Sequence, residues 1–250
     1  MMLKPILLLL TVSLLFTSFI SPPDFIAEQK KYERVREAFV DKEALIKAQL
    51  KKNGLQADDF HLLITAFKDD DVLNVFARKK TEKVYQQLIT YKVCARSGRL
   101  GPKRKSGDLQ VPEGFYQINR FNPTSNFYLS LGINYPNASD QIKNTAPDKG
   151  GDIFIHGSCV TIGCLPMTDD KIKEIYLYAI HARNNGQQKI PVYIFPFRMT
   201  DQNMKKYSNQ YADEKALLQF WKNLKVGYDR FEKDHKELTF SISEFGEYQF

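Results

Sequence analysis

The sequence predicts an α+β fold, mainly β, in which a mostly antiparallel β core carries helices in its N- and C-terminal parts. Three observations predict it. Aromatic residues are plentiful, 18 Phe and 13 Tyr against a single Trp, which favours strands over a helical bundle. Short apolar runs bounded by turn residues recur between positions 61 and 195. Stretches with apolar residues at three- and four-residue spacing lie near the two ends and once in between. At 250 residues, 43% apolar and 26% charged, the chain suffices for one large domain with helical additions.

Taken in order, the elements begin with a leader. Lys4 precedes an apolar run from Ile6 to Ile20 interrupted only by Thr and Ser, and Pro22-Pro23 follows. The run falls short of the ~20 residues of a spanning helix and reads as a secretory signal peptide over residues 1–21; left uncleaved, it is an N-terminal membrane anchor. Residues 25–54 then form an amphipathic helix, with Val35, Phe39, Ala44–Ile46 and Leu50 on one face and Asn53-Gly54 as its stop. His61–Phe67 and Val72–Phe76 form a hairpin around the acidic turn Lys68–Asp71. That turn lacks the alternating ligands and terminal Glu of a calcium loop, and is assigned to solvent.

Leu88–Val93 is a strand leading into the loop Ser97–Asp108. The loop's Lys103-Arg104-Lys105, set between Gly101 and Gly107, reads as solvated rather than as a nucleic-acid patch. Pro112–Ile118, Phe127–Leu131, Gly151–His156 and Ile190–Phe195 are further strands. Thr168 is an N-cap with Asp169 and Asp170 in the first turn; Ile172, Ile175, Tyr176 and Ala179 mark the buried face, and Asn185-Gly186 ends the helix. Glu214–Lys233 is a second long helix and Phe240–Phe250 a last extended segment.

The chemistry concentrates in Gly151–Met167. His156 ends an apolar strand, and Cys164 follows Gly163 eight residues later. A thiol nucleophile needs a base and N–H donors for an oxyanion, and this segment holds both. The chain has three cysteines, Cys94, Cys159 and Cys164. An odd number in an exported chain leaves at least one thiol unpaired or paired with another molecule. Other readings stay open: a zinc held by His156, Cys159 and Cys164 with Cys94 or Asp152 recruited, a Cys159–Cys164 disulfide, or a satisfied core histidine. The net charge of +7 suits an anionic setting such as a cell envelope.

His156-Gly157-Ser158-Cys159 and Thr161-Ile162-Gly163-Cys164-Leu165-Pro166-Met167 resemble the catalytic motif of the YkuD-type L,D-transpeptidases, in their YafK-like branch. Upstream, Ser97-Gly98, Gly101-Pro102-Lys103, Gly107-Asp108 and Pro112–Tyr116 resemble that family's approach to its site. Ile162 stands where the commoner form of the family has a second His, and Pro166 lies in the stretch where it has an Arg.

The resemblance implies a YkuD-like antiparallel β-sandwich core over residues 58–200, followed by a helical extension and last strand over 201–250. It makes Cys164 the nucleophile and His156 its general base. The backbone around Gly157 orients the imidazole, Gly163 with Cys164 supplies the oxyanion hole, and Ser158 and Thr161 support them. The implied protein is an exported enzyme of the periplasm or envelope that works on peptidoglycan stem peptides through an acyl-thioester, without cofactor, metal or nucleic acid. Hydrolytic release of an envelope protein attached to diaminopimelate is the alternative within the same chemistry; a non-catalytic envelope-binding module is the alternative outside it.

Overall fold

The computed structural model describes residues 24–250, so the segment assigned to a signal peptide lies outside the described residues. Among the described residues no helix is long and apolar enough to cross a membrane.

The N-terminal helical stretch is two helices, α1 (Phe25–Gln29) and α2 (Glu33–Lys52), because the backbone turns between Lys30 and Tyr32. Asp24 caps α1 by accepting from the Ala27 N–H. Strands β1 (His61–Phe67) and β2 (Val72–Arg78) pair antiparallel over their whole length, and β3 (Gln86–Lys92) joins β2. Then come β4 (Gly114–Asn122), β5 (Ser130–Ile133), a short α3 (Ala138–Lys143), β6 (Phe154–His156) and β7 (Leu165–Pro166). The remainder is α4 (Asp169–Asn184), β8 (Ile190–Phe195), α5 (Asp201–Gln210), α6 (Lys215–Asp234) and the hairpin β9 (Ser241–Ile242) with β10 (Tyr248–Gln249).

The α+β class holds. What reads from sequence as an antiparallel sandwich is built as one eight-stranded sheet, ordered β3-β2-β1-β8-β4-β5-β6-β7. Two of its pairings, β1 with β8 and β6 with β7, run parallel. Helices cover both faces, and alternation along β1 shows why. Leu62, Ile64 and Ala66 belong to a core with α2 and α4, while Leu63 and Phe67 face an aromatic core built on α6 around Phe220, Trp221 and Phe231. Trp221, fully buried, carries its indole N–H to the Glu113 carboxylate at 2.8 Å.

Glu113 is a buried hub. It also accepts from the Gly101 N–H (2.7 Å) and from Lys68 Nζ (2.9 Å), which reaches the carbonyls of Gly101 and Val111 as well. With the lone pairs and ammonium protons supplied, the charge pair is tolerable inside a low-dielectric region. It fastens the loop after β3 to α6.

Three local readings change. The acidic turn is not simply solvated: Asp69 and Asp71 hold Arg96, Asp70 holds Arg198, and Asp69 also takes the Tyr207 hydroxyl. Lys103 is buried, with Nζ 2.7 Å from Asp108 and 2.9 Å from the Lys105 carbonyl, so the basic triplet is a folded loop. The strand expected from Phe127 starts only at Ser130, because Tyr128 is left-handed (φ 68°) and breaks the extended run.

Candidate active site

The site forms because β6 and β7 are adjacent parallel strands joined by only eight residues, 157–164. Parallel neighbours ordinarily need a longer crossover. Here the chain doubles back through left-handed residues, Ser158 (φ 66°), Cys159 (φ 43°) and Gly163 (φ 136°). Ile155 pairs with Leu165 and His156 with Pro166, so one further step back sets Cys164 beside Phe154. The Phe154 N–H donates to Cys164 Sγ at 3.4 Å. Since residues two apart on a strand share a face, His156 and Cys164 project to the same side. With a rise of ~3.3 Å per residue and a strand spacing of ~4.8 Å, their Cα atoms fall about 8 Å apart.

The two glycines flanking this loop are required by close approach. A Cβ on Gly157 would stand 2.5 Å from Asp169 Oδ1 and 2.9 Å from the Phe127 carbonyl oxygen. One on Gly163 would meet the Gln110 carbonyl oxygen at 3.0 Å, in a backbone region that L side chains avoid. Asp169, at the start of α4, accepts from the Ser158 N–H at 2.7 Å and so ties the loop to the helix.

His156 is buried at 1% exposure, with the Phe127 ring centroid 4.6 Å from its own. Its Nδ1 lies 2.6 Å from the Gly157 carbonyl oxygen. A carbonyl can only accept, so Nδ1 carries the proton and Nε2 keeps its lone pair. Burial lowers the imidazole pKa from its ordinary value, and the contact with Gly157 opposes that only in part. Burial raises the Cys164 thiol; the Phe154 N–H and the charge of Lys103 pull the other way. Both groups therefore rest neutral near pH 7, and no hydrogen bond joins them among the described residues. His156 and Cys164 nonetheless line one cleft of about 680 Å³, with Phe127, Arg120 and Asp152.

Cys164 is the free cysteine, and the disulfide is Cys94–Cys159. The Cys159–Cys164 bridge is thereby corrected, and Cys94 and Cys159 are no longer available as thiolate ligands for zinc. The bond ties the 157–164 loop to the chain leaving β3, where the Cys94 N–H also donates to the Pro166 carbonyl at 3.0 Å.

The N–H groups expected to form the oxyanion hole are engaged by a side chain in this structure. The N–H groups of Gly163 and Cys164 both donate to Thr161 Oγ1, at 3.2 and 2.8 Å, and the Thr161 hydroxyl returns to the Cys164 carbonyl at 3.0 Å. Thr161 thus fixes the turn that presents the thiol, and the two donors are already occupied. Ser158 contributes its backbone and is otherwise exposed.

Sequence reasoning missed Phe127 and Arg120, and considered Asp152 only as a recruited zinc ligand. Arg120 pairs with Asp152 at 3.0 Å and stacks over the Phe154 ring at 4.7 Å; the Asp152 carbonyl lies 3.6 Å from Sγ. The positive φ of Asp152 (53°) aims that carbonyl, and Gly150-Gly151 just before it was the available signal.

A model of the L,D-transpeptidase catalytic domain, YkuD, matches residues 63–211. The chain is 42% identical over 183 residues to the protein named "Putative L,D-transpeptidase YafK" of Escherichia coli (strain K12), covering 72% of this chain and 70% of that one. The same figures hold for its namesake in Escherichia coli O157:H7. Among solved structures, the helical cell shape determining protein Pgp2 of Campylobacter jejuni is 19% identical, with a TM-score of 0.45 over 74% of each chain. Bd1075 of Bdellovibrio bacteriovorus is 23% identical, with a TM-score of 0.40 over 67% of this chain and 60% of that one. With a family model spanning more than half the chain and relatives at this identity over more than two thirds of it, the chain belongs to the YkuD family of L,D-transpeptidase catalytic domains.

Proposed function

We propose that the protein is an exported cysteine acyltransferase of the cell envelope that acts on peptidoglycan stem peptides, with Cys164 as nucleophile and His156 as its base. The observation that carries this is the His156–Gly157 contact, which leaves Nε2 as an acceptor in the cleft that Cys164 also lines. Family membership supplies the reaction class.

In the first step Nε2 takes the thiol proton as Sγ attacks an amide carbonyl. The C–S bond forms, the C–N bond breaks, and the amine leaves with that proton. In the second step an amine or water gives a proton to Nε2 and displaces the thiolate, which recovers the proton. The thiol begins neutral, so the base must act during attack rather than wait beside a preformed thiolate. The oxyanion competes with Thr161 Oγ1 for the Cys164 N–H, or draws on donors of the substrate itself.

Hydrolytic release of a polypeptide attached to diaminopimelate is the second reading, favoured by the rim of the His156 cleft. Ile162, Val160 and Phe127 are exposed there at 79, 54 and 41%. Such a rim suits a longer, partly apolar amine component. Incubation with defined muropeptides and with a protein-linked stem peptide, read by mass spectrometry, separates cross-linked dimer from released polypeptide. Intact substrates throughout, with folded protein, contradict both readings.

A further inference from the structure

The Gly101-Pro102-Lys103 and Gly107-Asp108 motifs lie in the loop between β3 and β4, and no step of the proposed reaction uses them. Their two charged residues form a buried pair. Lys103 Nζ is 2.7 Å from Asp108 Oδ1, with side chains 5 and 10% exposed. The carboxylate also accepts from the N–H groups of Arg104 (2.7 Å), Lys105 (3.0 Å) and Gln110 (3.1 Å). Burial pushes the Asp108 carboxyl up, but the ammonium and these donors outweigh it and hold it below its ordinary value. The loop is thus folded around one ion pair.

That loop touches the backbone on both sides of Cys164. On one side the Gln110 carbonyl packs against Gly163. On the other, the Lys103 stem lies against the segment 148–152: its Cε would be 3.0 Å from a Cβ on Gly150, and the Ser106 N–H donates to the Asp148 carbonyl at 3.0 Å. Two residues beyond Gly150 comes the Asp152 carbonyl, 3.6 Å from Cys164 Sγ. Of the ion pair, the ammonium is the member whose charge acts on the thiol.

The other charges around Cys164 are met by partners of their own. His156 rests neutral, and Asp152 is paired with Arg120. In the second cleft that Cys164 lines, between the β1–β2 turn and α5, Lys68 is held by Glu113, Arg96 by Asp69 and Asp71, and Arg99 by Glu214. Lys206 stands at the Tyr207 hydroxyl. Sulfur gains negative charge as the thiol gives up its proton, and again as the thiolate leaves the acyl group. A cation fixed in a water-poor interior acts on that charge with little screening.

We propose that Lys103, held by Asp108, is a positioning residue for Cys164: the pair clamps the two backbone segments that flank the thiol, and its ammonium stabilises the negative charge that sulfur carries during acyl transfer. The proposal rests on Cys164 being the nucleophile.

The test reads the thiol without a substrate as well as with one. Cys164 is the free cysteine, so a neutral haloacetamide reports on it alone in the native chain. Its alkylation rate is followed against pH, and kcat and KM are measured on a stem tetrapeptide. Lys103→Met raises the alkylation midpoint by about half a unit to one unit and lowers kcat about three- to tenfold, with KM within about twofold. Lys103→Arg keeps the charge and brings the midpoint back. Asp108→Asn loosens the loop but leaves the ammonium in place, so kcat falls without a rise in the midpoint; this variant also serves where Lys103→Met does not fold. Circular dichroism establishes that each variant compared is folded. An unchanged midpoint or unchanged kcat in Lys103→Met, or full kcat in Asp108→Asn, overturns the proposal. A raised midpoint in Lys103→Met with no turnover by any form, parent included, leaves the charge assignment standing and removes the acyl-transfer reading.

Discussion

Replacing Cys94 and Cys159 together by serine removes the covalent restraint on the loop that presents Cys164, the proposed nucleophile. The two residues are 65 apart in sequence. Closing a loop of that length removes about 4 kcal/mol of entropy from the unfolded chain at 25 °C in the chain-entropy model. For a chain of this size that corresponds to a fall in melting temperature of about 8–16 °C. The effect on turnover has a separate origin. Ser158 and Cys159 are consecutive left-handed residues, a conformation costing ~1–2 kcal/mol each. The disulfide, the Ser158–Asp169 hydrogen bond and the Cys159–Met167 hydrogen bond hold them there. Without the disulfide the loop relaxes and Cys164 loses its register beside Phe154, so turnover drops along with stability. Thermal unfolding of the double variant, and of the parent chain in reductant, measures the first effect. A midpoint within about 2 °C of the parent refutes the argument. So does finding all three thiols titratable in the denatured, unreduced chain.

Five further outcomes rest on the same geometry. Gly157→Ala drives a Cβ to 2.5 Å from Asp169 Oδ1, so it lowers stability by about 1–3 kcal/mol in denaturant titration and turnover by more than tenfold. Thr161→Val forfeits the hydrogen bonds that fix the Cys164 turn and lowers kcat, whereas Thr161→Ser keeps them and retains activity; equal kcat for Val and Ser contradicts the assigned role. For pH, His156 as the proposed base must be unprotonated and its pKa is depressed, so the acid limb of kcat/KM is expected below the ordinary histidine value of about 6.5. The raised thiol in turn predicts no ultraviolet thiolate absorbance at neutral pH; strong absorbance there indicates a preformed ion pair. Finally, His181 is buried with Nε2 unpartnered among the described residues, and burial depresses its pKa. The unfolded chain then takes up the proton first as pH falls below about 6.5, so native stability is lost in that direction. His181→Leu removes this loss, and its melting temperature relative to the parent rises between pH 7 and pH 5; a constant difference contradicts the assignment.

Legibility in the sequence tracked how local the determining interactions are. The β1–β2 hairpin, α4 and α6 are visible because each keeps its own apolar period and its own punctuation: Thr168 caps α4 and Asn185 ends it. The helix α5 was legible only as part of an unspecified helical extension. Tyr207 is its one buried residue, so it shows no apolar stripe; the cap at Thr200 was the readable sign. His156 and Cys164 stand out because strand end, glycine and thiol fall within ten positions. Phe127 and Arg120 do not, because they reach the site through sheet pairing: β5 sets Ser130 opposite His156, and β4 lies beside β5. The Cys94–Cys159 bond is likewise non-local, and sequence spacing raised only the nearer pair, Cys159 and Cys164, as one open alternative. Thr161 is instructive in another way. Its hydroxyl occupies the donors that the Gly-Cys pair suggested for the oxyanion, and only the three-dimensional turn shows that competition.

The central claim is that Cys164 carries the acyl group and His156 moves its proton. Rapid-quench intact-mass measurement during turnover of a stem tetrapeptide tests it most directly. The account predicts an adduct with the mass of the acyl half, localised by digestion to the peptide containing Cys164. The adduct is absent in Cys164→Ala and forms far more slowly in His156→Ala. Turnover that persists in Cys164→Ala, or an adduct on any other residue, contradicts it.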